Sequence, residues 1–237
     1  MTGLFVLGFL IGMRHALEAD HLAAVAALAT RSHSVAHTIR QGVVWGLGHT
    51  ITLFLFGAIV LLLDSVIPQR LAQWLEFAVG VMLLLLGLDV LRRLFRERIH
   101  FHAHRHASGI EHFHAHAHHD ERRHDPRRHS HRHPQGFPLR ALLVGLMHGM
   151  AGSAALILLT LNDVPSRWAG LVYIGLFGLG SMLGMALLSA VIAVPLRYSA
   201  RAMTWLHNGL QAAIGIATIT LGGYLMYEML PLFPPVM

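Results

Sequence analysis

"GMRHALEADHLA" (residues 12–23) sets an arginine, two histidines and two acids midway along a run, Leu4 to Ala29, that otherwise contains only Leu, Val, Ile, Phe, Ala, Gly and Met. A helix needs about 20 apolar residues to cross a bilayer, and this run has them. Ionisable side chains at bilayer depth are costly unless paired, and they mark ion or proton paths. The sequence therefore predicts a membrane-spanning helix that carries a polar site.

The composition supports that reading along the whole chain. Of 237 residues, 54% are hydrophobic and 13% charged, with a mean hydropathy of +0.55; soluble domains carry about 25% charged residues. Six apolar runs are long enough to span, at about 3–30, 41–63, 71–94, 138–161, 168–194 and 205–230, with Pro68, Pro165 and Pro195 at breaks between them. Between the third and fourth runs lies a segment with 13 of the 20 histidines and few aliphatics. Composition reads it as a disordered linker. The expected organisation is a first three-helix unit at 1–94, a His-rich linker at 95–137 and a second three-helix unit at 138–237.

The two units resemble each other. "GMRHALEADHLA" aligns with "GLMHGMAGSAAL" (145–156), matching His15 to His148. "GLGHT" (46–50) aligns with "GLGSM" (178–182), matching His49 to Ser181, and Gly80/Gly87 match Gly215/Gly222. The offsets are 133, 132 and 135 residues. Three spans per unit is an odd number, so the second copy enters the membrane upside down. Two inverted three-helix repeats with a site where they meet is a transporter architecture. The fold class expected is thus all-α, a polytopic membrane protein of six helices.

Arginine sets the orientation. Arg31, Arg40, the linker arginines from Arg92 to Arg140, Arg197 and Arg201 share one side, against Arg70 and Arg167 on the other. The positive-inside rule puts the His-rich linker in the cytoplasm and both termini outside. The N-terminus has no basic n-region and its apolar run holds Arg14, Glu18 and Asp20, so it is expected to stay as the first helix.

On a continuous helix His15, Glu18, Arg14 and His21 share one face, while Asp20 falls well away from it. Either the helix unwinds locally or Asp20 pairs with another helix; irregular backbone is tolerated at that depth where it lines a cavity. Arg14 and Glu18, four residues apart, are expected to pair. His15, Asp20 and His21 remain, a nitrogen and oxygen set suited to Ni²⁺, Co²⁺, Zn²⁺ or Cu²⁺ and poor for Mg²⁺ or Ca²⁺. With no cysteine, thiolate is excluded. His49 and His148 lie about 12–15 Å into their spans, level with His15, so three helices can bring imidazole to one place. The plain alternative is a knot of interhelical hydrogen bonds. The supporting polar neighbours are Arg14, Glu18 and Ser181.

"RHALEADH" (14–21) resembles the Arg-His-Ala-x-Asp-Ala-Asp-His signature of the nickel/cobalt transporter family, and "LGHT" (47–50) resembles its Leu-Gly-His-Ser segment. The resemblance implies handling of Ni²⁺ or Co²⁺ at His15, Asp20, His21 and His49, with the metal as cargo and no resident cofactor. Position 18 is Glu where the family has Asp, and six spans replace the usual eight, so the chain looks like a short branch of the family, or a relative near the six-span nickel/cobalt efflux proteins, which also carry His-rich cytoplasmic loops. The function expected is secondary transport, most simply uptake across a bacterial inner membrane, with efflux as the alternative. Expected partners are the divalent ion, the bilayer and a cytoplasmic metallochaperone, with no nucleic acid. The chain has no lysine and no phosphate-binding Gly-Lys-Ser/Thr loop, which argues against ATP hydrolysis. A membrane metalloenzyme is the competing class, but there is no His-Glu-x-x-His and the clustered histidines lie in the linker.

Overall fold

A computed structural model describes residues 2–32, 34–63, 68–96, 100–105, 111–116, 137–151 and 166–230. Seven helices occur among them: α1 (Thr2–His15), α2 (Ala19–Ala29), α3 (Val35–Leu63), α4 (Gln69–Arg96), α5 (Leu139–Met150), α6 (Arg167–Ala202) and α7 (Thr204–Met229). Of these, α3, α4, α6 and α7 are long and apolar enough to cross a membrane. The pair α1 and α2 makes a fifth candidate when taken as one broken span.

The first span is not the single helix that 3–30 suggests. It bends by 56° between α1 and α2. Two turn hydrogen bonds bridge the break: the Leu17 amide donates to the Arg14 carbonyl at 2.9 Å and the Glu18 amide to the His15 carbonyl at 3.0 Å. No proline or glycine causes it, so the cause is tertiary. The fourth run is helical as far as Met150 in α5; 152–165, with Pro165, lie outside the described residues. Pro195 does not end a helix as expected, since α6 runs through it to Ala202. A membrane helix bridges the loss of one N–H when its neighbours hold it.

In the linker, β1 (His100–Arg105) pairs antiparallel with β2 (Glu111–His116), His102 opposite His114. The other linker residues, 97–99, 106–110 and 117–136, lie outside the described residues, as does His33.

Each long helix has a lipid-type face and a packing face. On α3, Val43, Leu47, Ile51, Leu55, Ile59 and Leu62 form an exposed stripe at intervals of three or four, while Gly42, Gly46, His49, Leu53 and Gly57 are buried. The buried faces are rich in glycine because helices in apolar surroundings associate through close backbone packing. An added Cβ at Gly12 would strike the Phe177 carbonyl, and one at Gly145 the Trp45 carbonyl; Gly180 likewise abuts the Phe9 carbonyl, and Gly48 the Leu142 carbonyl. Gly80 meets the Gly222 carbonyl and Gly87 the Gly215 carbonyl. The main helix contacts follow the same plan: α3 on α6, α4 on α7, α1 on α6 and α5 on α3. The core sits where these cross, around Trp45, Leu83 and Met185.

One ionic tie closes the end of the bundle where α2 meets α4. Asp89 accepts from Arg31 and, at 3.2 Å, from Arg93, and Arg93 also donates to the Thr30 hydroxyl at 2.9 Å.

Candidate metal site

The break in the first span shapes the site. Because α1 stops at His15, positions 14 and 18 no longer lie one turn apart, and the expected Arg14–Glu18 pair does not form. Arg14 is exposed instead. The Glu18 carboxylate accepts from His15 Nδ1 at 2.8 Å.

Restarting the helix at Ala19 turns Asp20 into the first turn of α2, where it meets two imidazoles. Its Oδ1 accepts from the His21 amide at 2.8 Å and from His21 Nδ1 at 2.9 Å. Its Oδ2 accepts from His148 Nε2, on α5, at 3.1 Å. Both sequence alternatives for Asp20 therefore occur together: the backbone unwinds and the carboxylate reaches another helix.

His15, His21, His49 and His148 are all buried, at most 4% exposed. Ring centroids are 4.5 Å apart for His15 and His21, 5.3 Å for His15 and His49, 5.2 Å for His21 and His49, and 4.6 Å for His21 and His148. Trp45 stacks on His21 at 5.6 Å, and Phe177 lies 5.3 Å from His15. One nitrogen each of His15, His21 and His49 lies within 4.8 Å of the others, and the same holds for one ligand atom each of Asp20, His21 and His148.

The hydrogen bonds fix the tautomers. With Nδ1–H donated to carboxylate, the Nε2 atoms of His15 and His21 carry lone pairs, and both are buried without a hydrogen-bond partner. Both nitrogens of His49 and Nδ1 of His148 are also buried and unpartnered. Buried polar atoms are nearly always satisfied, so five open nitrogens in one cluster call for a ligand. A carboxylate behind an imidazole is the usual arrangement around metal-ligating histidine.

Ser181 is buried on α6 with its Oγ unpartnered, and has no hydrogen bond to these imidazoles. His207, outside this cluster, bonds Ser199 at 3.2 Å and Gln211 at 2.8 Å. Glu76 lines a cavity of about 400 Å³ that also reaches His15, Asp20, His21 and His148. Glu228 lines it too, and no sequence pattern pointed there.

Apolar helices packed through glycines around a buried polar cluster define a multi-pass membrane protein, and comparison with known proteins gives its class. The chain belongs to the NicO family, described as high-affinity nickel-transport protein, whose model matches residues 1–226. A relative is the urease accessory protein UreH of Bacillus sp. (strain TB-90), 34% identical over 234 residues, which is 97% of this chain and 92% of the relative. No solved structure matches. The membership makes this a nickel-transport protein and not an enzyme, as the resemblance of "RHALEADH" implied.

Proposed function

We propose that the protein carries Ni²⁺, and Co²⁺ by the same chemistry, into the cytoplasm through the buried imidazole cluster. Nε2 of His15, Nε2 of His21 and one nitrogen of His49 hold the dehydrated ion. Glu18 and Asp20 orient two of these rings and offset the charge. His148 joins Asp20 and His21 in a second position beside the first, which opens to an ion when the rings give up the protons they donate to Asp20, and because His21 belongs to both, an ion can pass between them without returning to water. The observation that carries this reading is the set of buried, unpartnered imidazole nitrogens. Imidazole suits Ni²⁺ and Co²⁺ and not Mg²⁺ or Ca²⁺. The name of the 34% identical relative, a urease accessory protein, is in keeping with nickel as cargo.

The scaffold is read as two inverted repeats of three spans, α1 with α2, α3 and α4 against α5 with the residues after it, α6 and α7. Exchange of the halves supports this. It turns the Gly12–Phe177 contact into Gly145–Trp45, Gly180–Phe9 into Gly48–Leu142, and Gly80–Gly222 into Gly87–Gly215. The first span breaks after His15, and α5 stops two residues past His148, its counterpart. Rocking of one repeat against the other opens the site to each side in turn. The arginine distribution supports a reading in which the His-rich linker lies on the cytoplasmic side of a bacterial inner membrane. By the same rule the cavity lies toward the outer face, where Glu228 ends α7 and Glu76 lies near the start of α4, so the site as folded faces the supply of ions for uptake.

Flux of Ni²⁺ and Co²⁺ into oriented proteoliposomes tests the proposal. Saturable movement in the wild type, lost in His15→Ala and His21→Ala, is expected. Metal movement that survives both substitutions would sink it.

A further inference from the structure

The cavity in front of the imidazoles is chemically two-ended. Its inner end is formed by His15, Asp20, His21 and His148, and its outer end by Glu76 and Glu228. Glu18, half-exposed at the break, lies beside the inner end. Among the described residues no arginine lines it, although the chain has 18 of them. The Tyr224 hydroxyl donates to Glu228 Oε1 at 2.5 Å, which fixes the carboxylate.

Size decides what such a space can take. A water molecule occupies about 30 Å³ of liquid volume, so an ion with six waters needs about 200 Å³. The cavity, at about 400 Å³, holds a divalent ion with its first hydration shell intact. The inner end is the metal site itself, since His15 and His21, at least 96% buried and each with an open Nε2, line this same space, so an ion in the cavity has a ligand set directly behind it. Carboxylate is a hard ligand that tolerates a hydrated ion, whereas imidazole binds a transition metal directly.

We infer that Glu76 and Glu228 form an outer capture site that holds a hydrated divalent cation before the histidines strip its water. This rests on the transport reading above. The carboxylates concentrate cations of any chemical type by charge, and the imidazoles behind them then select the metal. Capture by charge raises the association rate and is screened by salt.

The test compares the wild type with E76Q, E228Q and the double variant, using Ni²⁺ flux in proteoliposomes and the stopped-flow rate at which Co²⁺ develops its visible absorption in purified full-length protein. The double variant is expected to need about tenfold more Ni²⁺ for half-maximal flux at low salt. Its maximal rate falls less than twofold, and the difference from wild type shrinks at 0.5 M salt. Co²⁺ association slows by a similar factor, while the final spectrum, which reports folding and the imidazole environment, is that of the wild type. Unchanged half-saturation and unchanged Co²⁺ association at low salt overturn the inference, as does a changed Co²⁺ spectrum, which makes the glutamates ligands or structural parts of the inner site. If the single variant E228Q, at the exposed end, already shows part of the salt-dependent slowing, the inference stands even where the double variant fails to fold. Should the wild type move no metal, the transport reading fails, and the Co²⁺ rates still decide the capture site.

Discussion

Oδ2 of Asp20 lies 3.1 Å from Nε2 of His148. This contact joins residues 128 positions apart, links α2 to α5, and shares its carboxylate with His21. It is a hydrogen bond between the two halves of the chain inside the site, beside the ring contacts of His21 with His148 and His15 with Phe177. An Asp20→Asn variant keeps the shape but turns one oxygen into an amide donor facing an imidazole N–H, forcing at least one ring to change tautomer. Loss of a carboxylate behind a ligating imidazole typically costs about 10–100-fold in metal affinity. Co²⁺ titration of the purified variant is expected to show a loss in that range. Affinity within twofold of wild type removes Asp20 from the orienting role.

His49 differs from its neighbours in having no partner for either ring nitrogen, although its side chain is wholly buried. A leucine of similar size removes those open polar atoms, each of which costs about 1–3 kcal/mol when buried unsatisfied. The metal-free His49→Leu protein is therefore expected to melt at or above the wild-type temperature. Its gain in melting temperature on adding Ni²⁺, which reflects preferential binding to the folded state, should shrink or vanish. A variant that is unstable without metal yet retains the full Ni²⁺ gain would contradict this account.

Protons compete with metal for imidazole. A ligand nitrogen must be neutral to bind, so metal binding releases any proton it carried. The sign is fixed: affinity is highest at alkaline pH and declines as acid is added. Co²⁺ binding, measured as the pH is lowered from about 8 to the point where the fold is lost, should weaken as the imidazoles take up protons. A flat profile down to that point excludes histidine as the main ligand.

The glycine contacts give a matched pair of packing predictions. A Cβ at Gly145 collides with the Trp45 carbonyl, which is backbone and cannot swing away. Gly145→Val should destroy the α3–α5 packing and abolish monodisperse protein on size exclusion. Gly223, in α7, has nothing within 4 Å of an added Cβ. Gly223→Ala should fold normally and gain up to about 1 kcal/mol from helix propensity, read as a raised melting temperature.

The four histidines are legible in the amino-acid sequence because depth along an apolar run is counted in residues. His15, His49 and His148 fall at one level on three different spans; His15 meets His49, and His148 joins them through His21. The break that places Asp20 is legible only as one of two alternatives, local unwinding or pairing with another helix, and the sequence does not choose between them. "HALEAD" sets good helix formers between a histidine and an aspartate, and only the reach of Asp20 to α5 accounts for stopping and restarting the helix there. Pro195 misleads in the opposite direction: a strong local signal is overridden by packing along α6. Glu76 and Glu228 stay hidden because their common cavity depends on how α4, α7 and the broken span lean together, which no pattern within a single segment reports.

The broken span has one more effect. Two helices, α1 and α5, terminate at the imidazoles with their carbonyl ends. A helix C-terminus acts as roughly half an elementary negative charge. The opposite, positive end of α2 also lies there, but it is engaged by Asp20 in its own first turn. An arriving cation thus meets a negative field built from peptide dipoles that no proton can neutralise. When acid protonates the histidines and ligation fails, that field persists and acts on the imidazolium charges instead, so the peptide dipoles that drew in nickel help to retain protons in its place.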